Sequence, residues 1–235
     1  MPILEQLLTG VEYQVLHGDP GLEITGIAYD SRRVEEGNVF VCIPGFKTDG
    51  HNYAADAAQR GARALVVERG VEGCPGCTIV QVKNTRWILP LLASRFYGRP
   101  SQNLKVVGVT GTNGKTTTTH LIAAILQEAG YAVGLIGTLY ATFKGYQEKL
   151  ANTTPESLDL ERFMRRVSDE GGKYVVMEVS SHALDLGRVS QIDFNAAVFT
   201  NLSQDHLDYH RDLDDYREAK TKLFRSIPVE SGRFT

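Results

Sequence analysis

Cysteine is scarce and odd in number: Cys42, Cys74 and Cys77 are the only three in 235 residues. Such a set argues against a disulfide framework and against a small secreted scaffold. Long apolar runs are lacking too. The longest near-apolar stretch, Trp87 to Ala93, contains Pro90 and falls far short of the roughly 20 residues of a bilayer-crossing helix. No basic segment opens the chain, which starts Met1-Pro2-Ile3-Leu4-Glu5, so no signal peptide is expected. Neither sign of charge dominates: 25 Lys and Arg stand against 28 Asp and Glu, a net charge of −3. No basic stripe suits a nucleic-acid backbone. These absences lead us to expect a cytoplasmic protein with no nucleic-acid or membrane partner; a monomer is expected as well. What is present, 42% hydrophobic and 23% charged residues, suffices for one large domain or two small ones with a real core.

Hydrophobic patterning alternates between strand and helix. Asn38 to Ile43 is predicted as a buried strand closed by Pro44-Gly45, and His51 to Gln59 as a helix. Ala64 to Val67 and Thr78 to Val82 read as strands, and Asn84 caps a helix reaching Tyr97. Gly98-Arg99-Pro100-Ser101 is turn chemistry and separates a first domain, residues 1–99, from a second, 100–235. The second opens as strand, glycine-rich turn and helix: Leu104 to Val109, Thr110 to Lys115, then Thr116 to Ala129. Val133 to Ile136, Tyr174 to Val179 and Ala196 to Phe199 follow as strands, with a helix at Leu158 to Ser168. This order is that of an α/β fold with a parallel sheet. Parallel sheets bind ligands at the carboxyl ends of their strands, where the chemistry-bearing residues of this chain fall.

Gly111-Thr112-Asn113-Gly114-Lys115-Thr116, followed by Thr117, lies between a strand and a helix. Consecutive N–H groups and a helix N-terminus there make a nest for phosphates. Lys115 can reach the β/γ oxygens and the Thr116 hydroxyl can ligate Mg²⁺. Val109 stands where the longer phosphate-loop pattern has glycine, so the match is to a G-x-x-G-K-T core. Glu178 sits near the end of a buried strand, where an unpaired charge costs several kcal/mol. A Mg²⁺ shared with Thr116 or an arginine pair would compensate it. Ser180-Ser181-His182 follows without a G-x-S-x-G elbow, which favours substrate contacts over a nucleophile.

His206 and His210 lie four apart, but Leu207 replaces the glutamate of a zinc-protease helix. Mg²⁺ ligation by His206 is preferred over a loop with surface histidines. From Asp212 an apolar stripe runs through Leu213, Tyr216, Leu223 and Ile227, widened by Phe224, with Lys220 in line. A buried ammonium there loses proton affinity or finds an anion; a neutral amine can also take up CO₂ as a carbamate, while snorkelling to solvent is the plain alternative. Asn152-Thr153-Thr154-Pro155 reads as a helix cap or as hydroxyls turned to a ligand. Asp30-Ser31-Arg32 and Gly45 to Gly50 are loops with the same two readings. Cys74-Pro75-Gly76-Cys77, without a second pair, reads as a turn.

Taken in order, Asp30-Ser31-Arg32, Gly111 to Thr119, Asn152-Thr153-Thr154, Glu178 to His182, Asn201 to His210 and Lys220 resemble the Mur ligases. They lie nearest the members that extend a UDP-linked muramoyl dipeptide with a diamino acid. The resemblance implies a small N-terminal α/β substrate domain, followed by a phosphate-loop ATPase-like central domain. It implies ATP and Mg²⁺, with UDP-N-acetylmuramoyl-L-alanyl-D-glutamate and diaminopimelate or lysine as substrates, an acyl phosphate, and then amide formation. Lys115, Lys220, Glu178 and His206 match the catalytic residues, and Gly111 through Thr117 match the ATP loop. Thr116 and Glu178 match ligands of one Mg²⁺, and Glu178, His206 and a carbamylated Lys220 those of a second. Tyr29, Ser31, Phe46, Lys47 and Thr48 match the uridine-nucleotide end; Asn152, Thr153, Thr154, Ser180 and Arg188 match the peptide end. Leu186 departs from a glutamine often found in that run. The family also continues beyond Ser231 to Thr235, so a truncated central domain, inactive by itself, is expected. The alternatives are a fragment that only binds the UDP-sugar peptide, and a cyanophycin or folylpolyglutamate synthetase. The latter two share the phosphate loop but fit Asp30-Ser31-Arg32 and Asn152 to Pro155 less well.

Overall fold

A computed structural model describes residues 1–46, 48–205 and 208–227. Lys47, His206, Leu207 and the terminal run from Pro228 to Thr235 lie outside the described residues. The chain divides into two compact units, Met1–Phe96 and Tyr97–Thr235.

The first unit runs α1 (Leu4–Leu7), β1 (Tyr13–His17), β2 (Gly26–Ala28), β3 (Asn38–Val41), α2 (Ala54–Gln59), β4 (Ala64–Val67), β5 (Thr78–Val82) and α3 (Thr85–Phe96). Its sheet has the order β1-β5-β4-β3-β2, parallel except for β1, which pairs antiparallel with β5. Every residue of β3 and β4 is buried. Strands covered on both faces read as continuous apolar runs, which is why these two are visible in sequence. The predicted helix at His51 begins instead as a 3-10 turn, Gly50–Tyr53, and becomes α-helical only at Ala54. Asn84 does cap α3, accepting from the Trp87 N–H at 3.1 Å. Cys42, Cys74 and Cys77 are free thiols in this unit's apolar core, and burial pushes the Cys42 thiol up to about 12.

The second unit runs β6 (Lys105–Thr110), α4 (Lys115–Glu128), β7 (Val133–Ile136), β8 (Tyr140–Phe143), β9 (Tyr146–Lys149), α5 (Ser157–Asp169), β10 (Tyr174–Glu178), α6 (Ser181–Asp185), β11 (Phe194–Phe199) and α7 (Leu213–Arg225). The sheet order is β11-β6-β10-β7-β8-β9. Its first four strands are parallel, so the ends of β6, β7, β10 and β11 open on one side. The β8–β9 hairpin is antiparallel. It turns through Lys144 and Gly145, both at positive φ (46° and 83°), the backbone a two-residue type I′ turn requires.

Helix α5 buries Leu160, Phe163, Met164 and Val167, an i, i+3, i+4, i+7 stripe. They join Val106, Val175, Met177 and Phe194 in the main core. In α7 the buried face is Tyr216, Ala219, Lys220 and Leu223. Leu213 and Phe224, expected on that face, are exposed; the Phe224 ring meets Phe199 edge-on at 6.3 Å. Among the described residues no helix is long and apolar enough to cross a membrane.

Phe194 fills the space above Gly108, where a Cβ would come within 2.8 Å of its ring. Phe194→Ala therefore leaves a cavity beside β6, the strand that leads into the Gly111–Lys115 turn. Loss of about 3–5 kcal/mol in urea unfolding is expected; a loss under about 1 kcal/mol would mean the ring is not packed as described.

Candidate active site

Strand β6 delivers the chain into Gly111 with φ 143°, a conformation closed to ordinary L-residues. A Cβ there would lie 1.9 Å from Thr200 Oγ1, so glycine is required twice over. Gly114 (φ 83°) then caps α4. The segment after β11 holds this turn from beside it. Asn201 O accepts from the Thr112 N–H (2.9 Å) and Asn201 Oδ1 from the Asn113 N–H (3.0 Å). Thr200 Oγ1 donates to Asn113 O (2.7 Å), and the Ser203 N–H donates to Thr112 Oγ1 (3.0 Å). The Thr200–Ser203 run thus braces the Gly111–Lys115 turn, a role that its local pattern does not reveal.

Two ammonium groups meet beneath the loop. Lys115 Nζ donates to Gly111 O (2.9 Å) and Thr112 O (2.8 Å). Lys220 Nζ, on a side chain only 1% exposed, donates to the same Gly111 O at 2.9 Å and lies 4.3 Å from the centre of the Tyr216 ring. Burial lowers the proton affinity of Lys115, opposed by the charges of Glu178 and Asp205. Burial and then repulsion from Lys115 lower Lys220 to about 7 against the pull of Asp205. The snorkelling alternative for Lys220 is thereby excluded, and this local excess of positive charge suits a polyphosphate.

Glu178, 1% exposed, ends β10 beside the loop. Thr116 Oγ1 donates to its Oε1 (2.9 Å), as does the Thr138 N–H (2.9 Å), while Thr138 Oγ1 donates to Oε2 (3.1 Å). Its compensation thus comes from hydroxyl and amide donors, and not from the arginine considered above. Thr138 follows β7 and carries no motif. It enters the site because β7 and β10 are in parallel register, and Gly137 leaves room, since a Cβ there would sit 2.8 Å from Glu178 Oε1. The Thr116 hydroxyl and Glu178 carboxylate are hard oxygen donors set side by side, the chemistry that Mg²⁺ selects.

Thr153 Oγ1 is 3.5 Å from Thr138 Oγ1. Thr154 is not a helix cap: its Oγ1 donates to Glu178 O (2.9 Å) and accepts from the Ser180 N–H (3.0 Å). The first residue before α5 is Glu156, which makes no side-chain cap. Ser180 caps α6, accepting from the Ala183 N–H at 3.2 Å. Arg188 Nη1 donates to Thr154 O (3.0 Å), and its Nε pairs with Glu156 at 2.9 Å. Asn152, Asn113 and Thr117 are exposed. His210 is buried, not a surface histidine; His206 lies outside the described residues.

In the first unit, Ser31 is buried at the start of a 3-10 turn. Asp30 caps that turn through the Arg32 N–H, and hydrogen bonding to the Arg32 side chain holds its carboxyl below the usual range. Tyr29 is half-buried. Phe46 is 73% exposed on a loop pinned by the Gly45 N–H to Thr48 O (2.9 Å); Thr48 Oγ1 donates to Tyr53 Oη (3.2 Å). Lys47, between them, lies outside the described residues.

The lowered Lys220 value has a stability consequence with a definite sign. Below about pH 7 the folded and unfolded chains both hold the proton, and the full cost of burial is felt. Above it, up to the ordinary lysine range, the unfolded chain holds more protons, so stability rises with pH. Lys220→Met removes that rise. The variant's melting temperature relative to the parent is expected to be highest near pH 6 and to decline by about pH 9. An offset independent of pH would contradict the buried amine.

Two family profiles match the chain: the Mur ligase middle domain over residues 109–233, and the catalytic domain of the Mur ligase family over 23–97. The UDP-N-acetylmuramoyl-L-alanyl-D-glutamate–2,6-diaminopimelate ligase of Syntrophomonas wolfei subsp. wolfei is 50% identical over 231 residues, 98% of this chain and 47% of that protein. The ligase of the same name from Alkaliphilus metalliredigens is 47% identical over 221 residues, 94% of this chain and 45% of that one. A solved structure of a ligase so named superposes with a TM-score of 0.79 at 28% identity, covering 96% of this chain and 46% of that chain. The chain thus spans about half the length of the curated relatives it matches. It belongs to the Mur ligase family, as its ordered sequence strings implied.

Proposed function

We propose that this chain forms the substrate-binding and nucleotide-binding portion of an ATP-dependent ligase of peptidoglycan synthesis. The reaction assigned to the whole protein joins a third-position diamino acid, most simply meso-2,6-diaminopimelate, to UDP-N-acetylmuramoyl-L-alanyl-D-glutamate. The names of the relatives support that substrate. The observation that carries the reading is a continuous line of contacts from the phosphate loop to the peptide segment. Thr116 reaches Glu178, Glu178 reaches Thr138, and Thr138 reaches Thr153. A nucleotide phosphate and a peptide carboxylate would therefore approach each other across one carboxylate.

In this reading residues 1–99 hold the UDP-sugar through Tyr29, Ser31, Phe46, Lys47 and Thr48. Residues 100–235 are the first part of the central ATP-binding domain. Gly111 to Thr117 cradle the phosphates with backbone N–H groups and the α4 N-terminus. Lys115 turns from the loop carbonyls to the phosphoryl oxygens and neutralises charge developing in transfer. Asn152, Thr153, Thr154, Ser180 and Arg188 orient the peptide. The substrate carboxylate displaces ADP from the γ-phosphorus, giving an acyl phosphate; the diamino acid's amine then attacks the acyl carbon, releasing phosphate and a proton as the amide forms. Thr116 and Glu178 would hold one Mg²⁺, and Glu178, His206 and Lys220 as a carbamate a second; Mg²⁺ supplies charge neutralisation and alignment of phosphate oxygens. The lowered proton affinity of Lys220 supports carbamate formation, because only the neutral amine reacts with CO₂. A monomeric, cytoplasmic protein completes the reading, consistent with three free buried thiols.

Thermal unfolding of the chain with UDP-N-acetylmuramoyl-L-alanyl-D-glutamate, and separately with Mg-ADP, tests this. Each ligand at a hundredfold its Kd is expected to add about 2.7 kcal/mol, without phosphate release by the chain alone. A shift with Mg-ADP only would overturn the cell-wall substrate, and a shift with neither would overturn both sites.

A further inference from the structure

Between α6 and the segment leading into α7 lies a buried cluster that the proposed reaction does not use. His210 is 2% exposed and its Nε2 is 2.9 Å from Ser181 Oγ. Its Nδ1 is 3.6 Å from Asp215 Oδ2, within electrostatic reach. Its ring packs against those of His182 (5.7 Å), Tyr209 (4.8 Å) and Tyr216 (5.1 Å). Two further links run alongside: Tyr209 Oη donates to Asp185 Oδ2 (2.7 Å), and Lys222 Nζ pairs with Asp185 Oδ1 (2.6 Å).

Serine, histidine and aspartate in this order resemble a hydrolytic relay, and Ser181 even follows a strand at a helix start. That reading fails on access: Ser181 is 1% exposed, so no carbonyl carbon can come within attacking distance of its hydroxyl. What the cluster does provide is orientation. A buried imidazole hydrogen-bonded to Ser181 and packed among three other rings is fixed in place, and such networks are sensitive to the loss of a single partner. On one side His210 grips Ser181, next to Ser180 and its partner Thr154. On the other it packs on Tyr216, whose hydroxyl is 3.2 Å from Thr112 Oγ1 in the phosphate loop and whose ring lies against Lys220.

We propose that His210 is a positioning residue that locks the peptide-side tip of β10 to α7 and thereby holds Lys220 against the phosphate loop. The proposal rests on the nucleotide reading of that loop, and its test separates the two. His210→Phe keeps a ring without nitrogens, whereas His210→Gln keeps an amide for Ser181. Two quantities are measured on the whole chain: Mg-ADP affinity by calorimetry, and acylation of Lys220 by an amine-directed reagent, read by mass spectrometry without nucleotide. In His210→Phe, affinity is expected to fall about tenfold and Lys220 acylation to quicken about fivefold, with unfolding still cooperative; His210→Gln restores both to within about twofold. A lowered melting temperature with both quantities unchanged would make His210 merely structural and overturn the proposal. Should the parent chain fail to bind Mg-ADP, the nucleotide reading falls, and equal acylation of parent and Phe variant would overturn the positioning role as well. If His210→Phe does not fold, Ser181→Ala removes the same hydrogen bond from the other side. It is expected to quicken Lys220 acylation in the same direction, and an unchanged rate would overturn the proposal.

Discussion

The carbonyl oxygen of Gly111 accepts hydrogen bonds from Lys115 and Lys220, each at 2.9 Å, and the rest of the second unit is arranged so that it can. The backbone at Gly111 must take a conformation that only glycine reaches easily. Strand β11 must lie beside β6, so that Thr200 and Asn201 brace the loop. Helix α7 must cross beneath it so that an amine from a residue 109 positions away arrives at the same atom. Two like charges near one acceptor are unfavourable in a low-dielectric setting. The arrangement is tolerated because Lys220 gives up proton affinity, because Asp205 offsets part of the repulsion, and because the Tyr216 ring presents its face.

Glu178 is the complement of this cationic site. A carboxylate at 1% exposure would be costly alone, yet three donors from Thr116 and Thr138 satisfy it, while its own backbone carbonyl anchors Thr154. One residue therefore organises the Gly111–Thr116 turn through its side chain and the Thr154 segment through its main chain. Ser180, two residues on, closes the second connection by meeting Thr154. The lysine pair and the carboxylate rely on the same four parallel strands, so the charge pattern of the site follows from sheet register.

The parts of this arrangement that were readable from sequence are those with local signals. Buried strands such as Ala64–Val67 are short apolar runs, α5 carries a full stripe, and the glycine–lysine–threonine turn has its own composition. Lys220 stood out because a charge interrupted an apolar stripe. Other parts depend on partners distant in the chain. Thr138 is a single threonine after a glycine, and only the alignment of β7 with β10 brings it to Glu178. Thr200 to Ser203 carry ordinary loop composition, and their bracing role exists only once β11 lies beside β6. Thr154 looked like a cap because a proline follows it, but a backbone carbonyl from β10 competes for its hydroxyl. Leu213 and Phe224 fit the stripe of α7 by spacing, yet the buried face of that helix is Tyr216, Ala219, Lys220 and Leu223, and both lie outside it. Helix α6 has five residues, too few for periodicity to register, and so the burial of His210 behind it was hidden.

The central claim is that the Gly111–Thr116 turn is a phosphate nest whose lysines are held in readiness by its own carbonyls. Titration of isotopically labelled chain with Mg-ADP, followed through the backbone amides by NMR, addresses it most directly. The account predicts saturable shifts concentrated at Asn113, Gly114, Lys115 and Thr116, with smaller ones at Lys220. Saturable shifts elsewhere, with those amides unmoved, would contradict it.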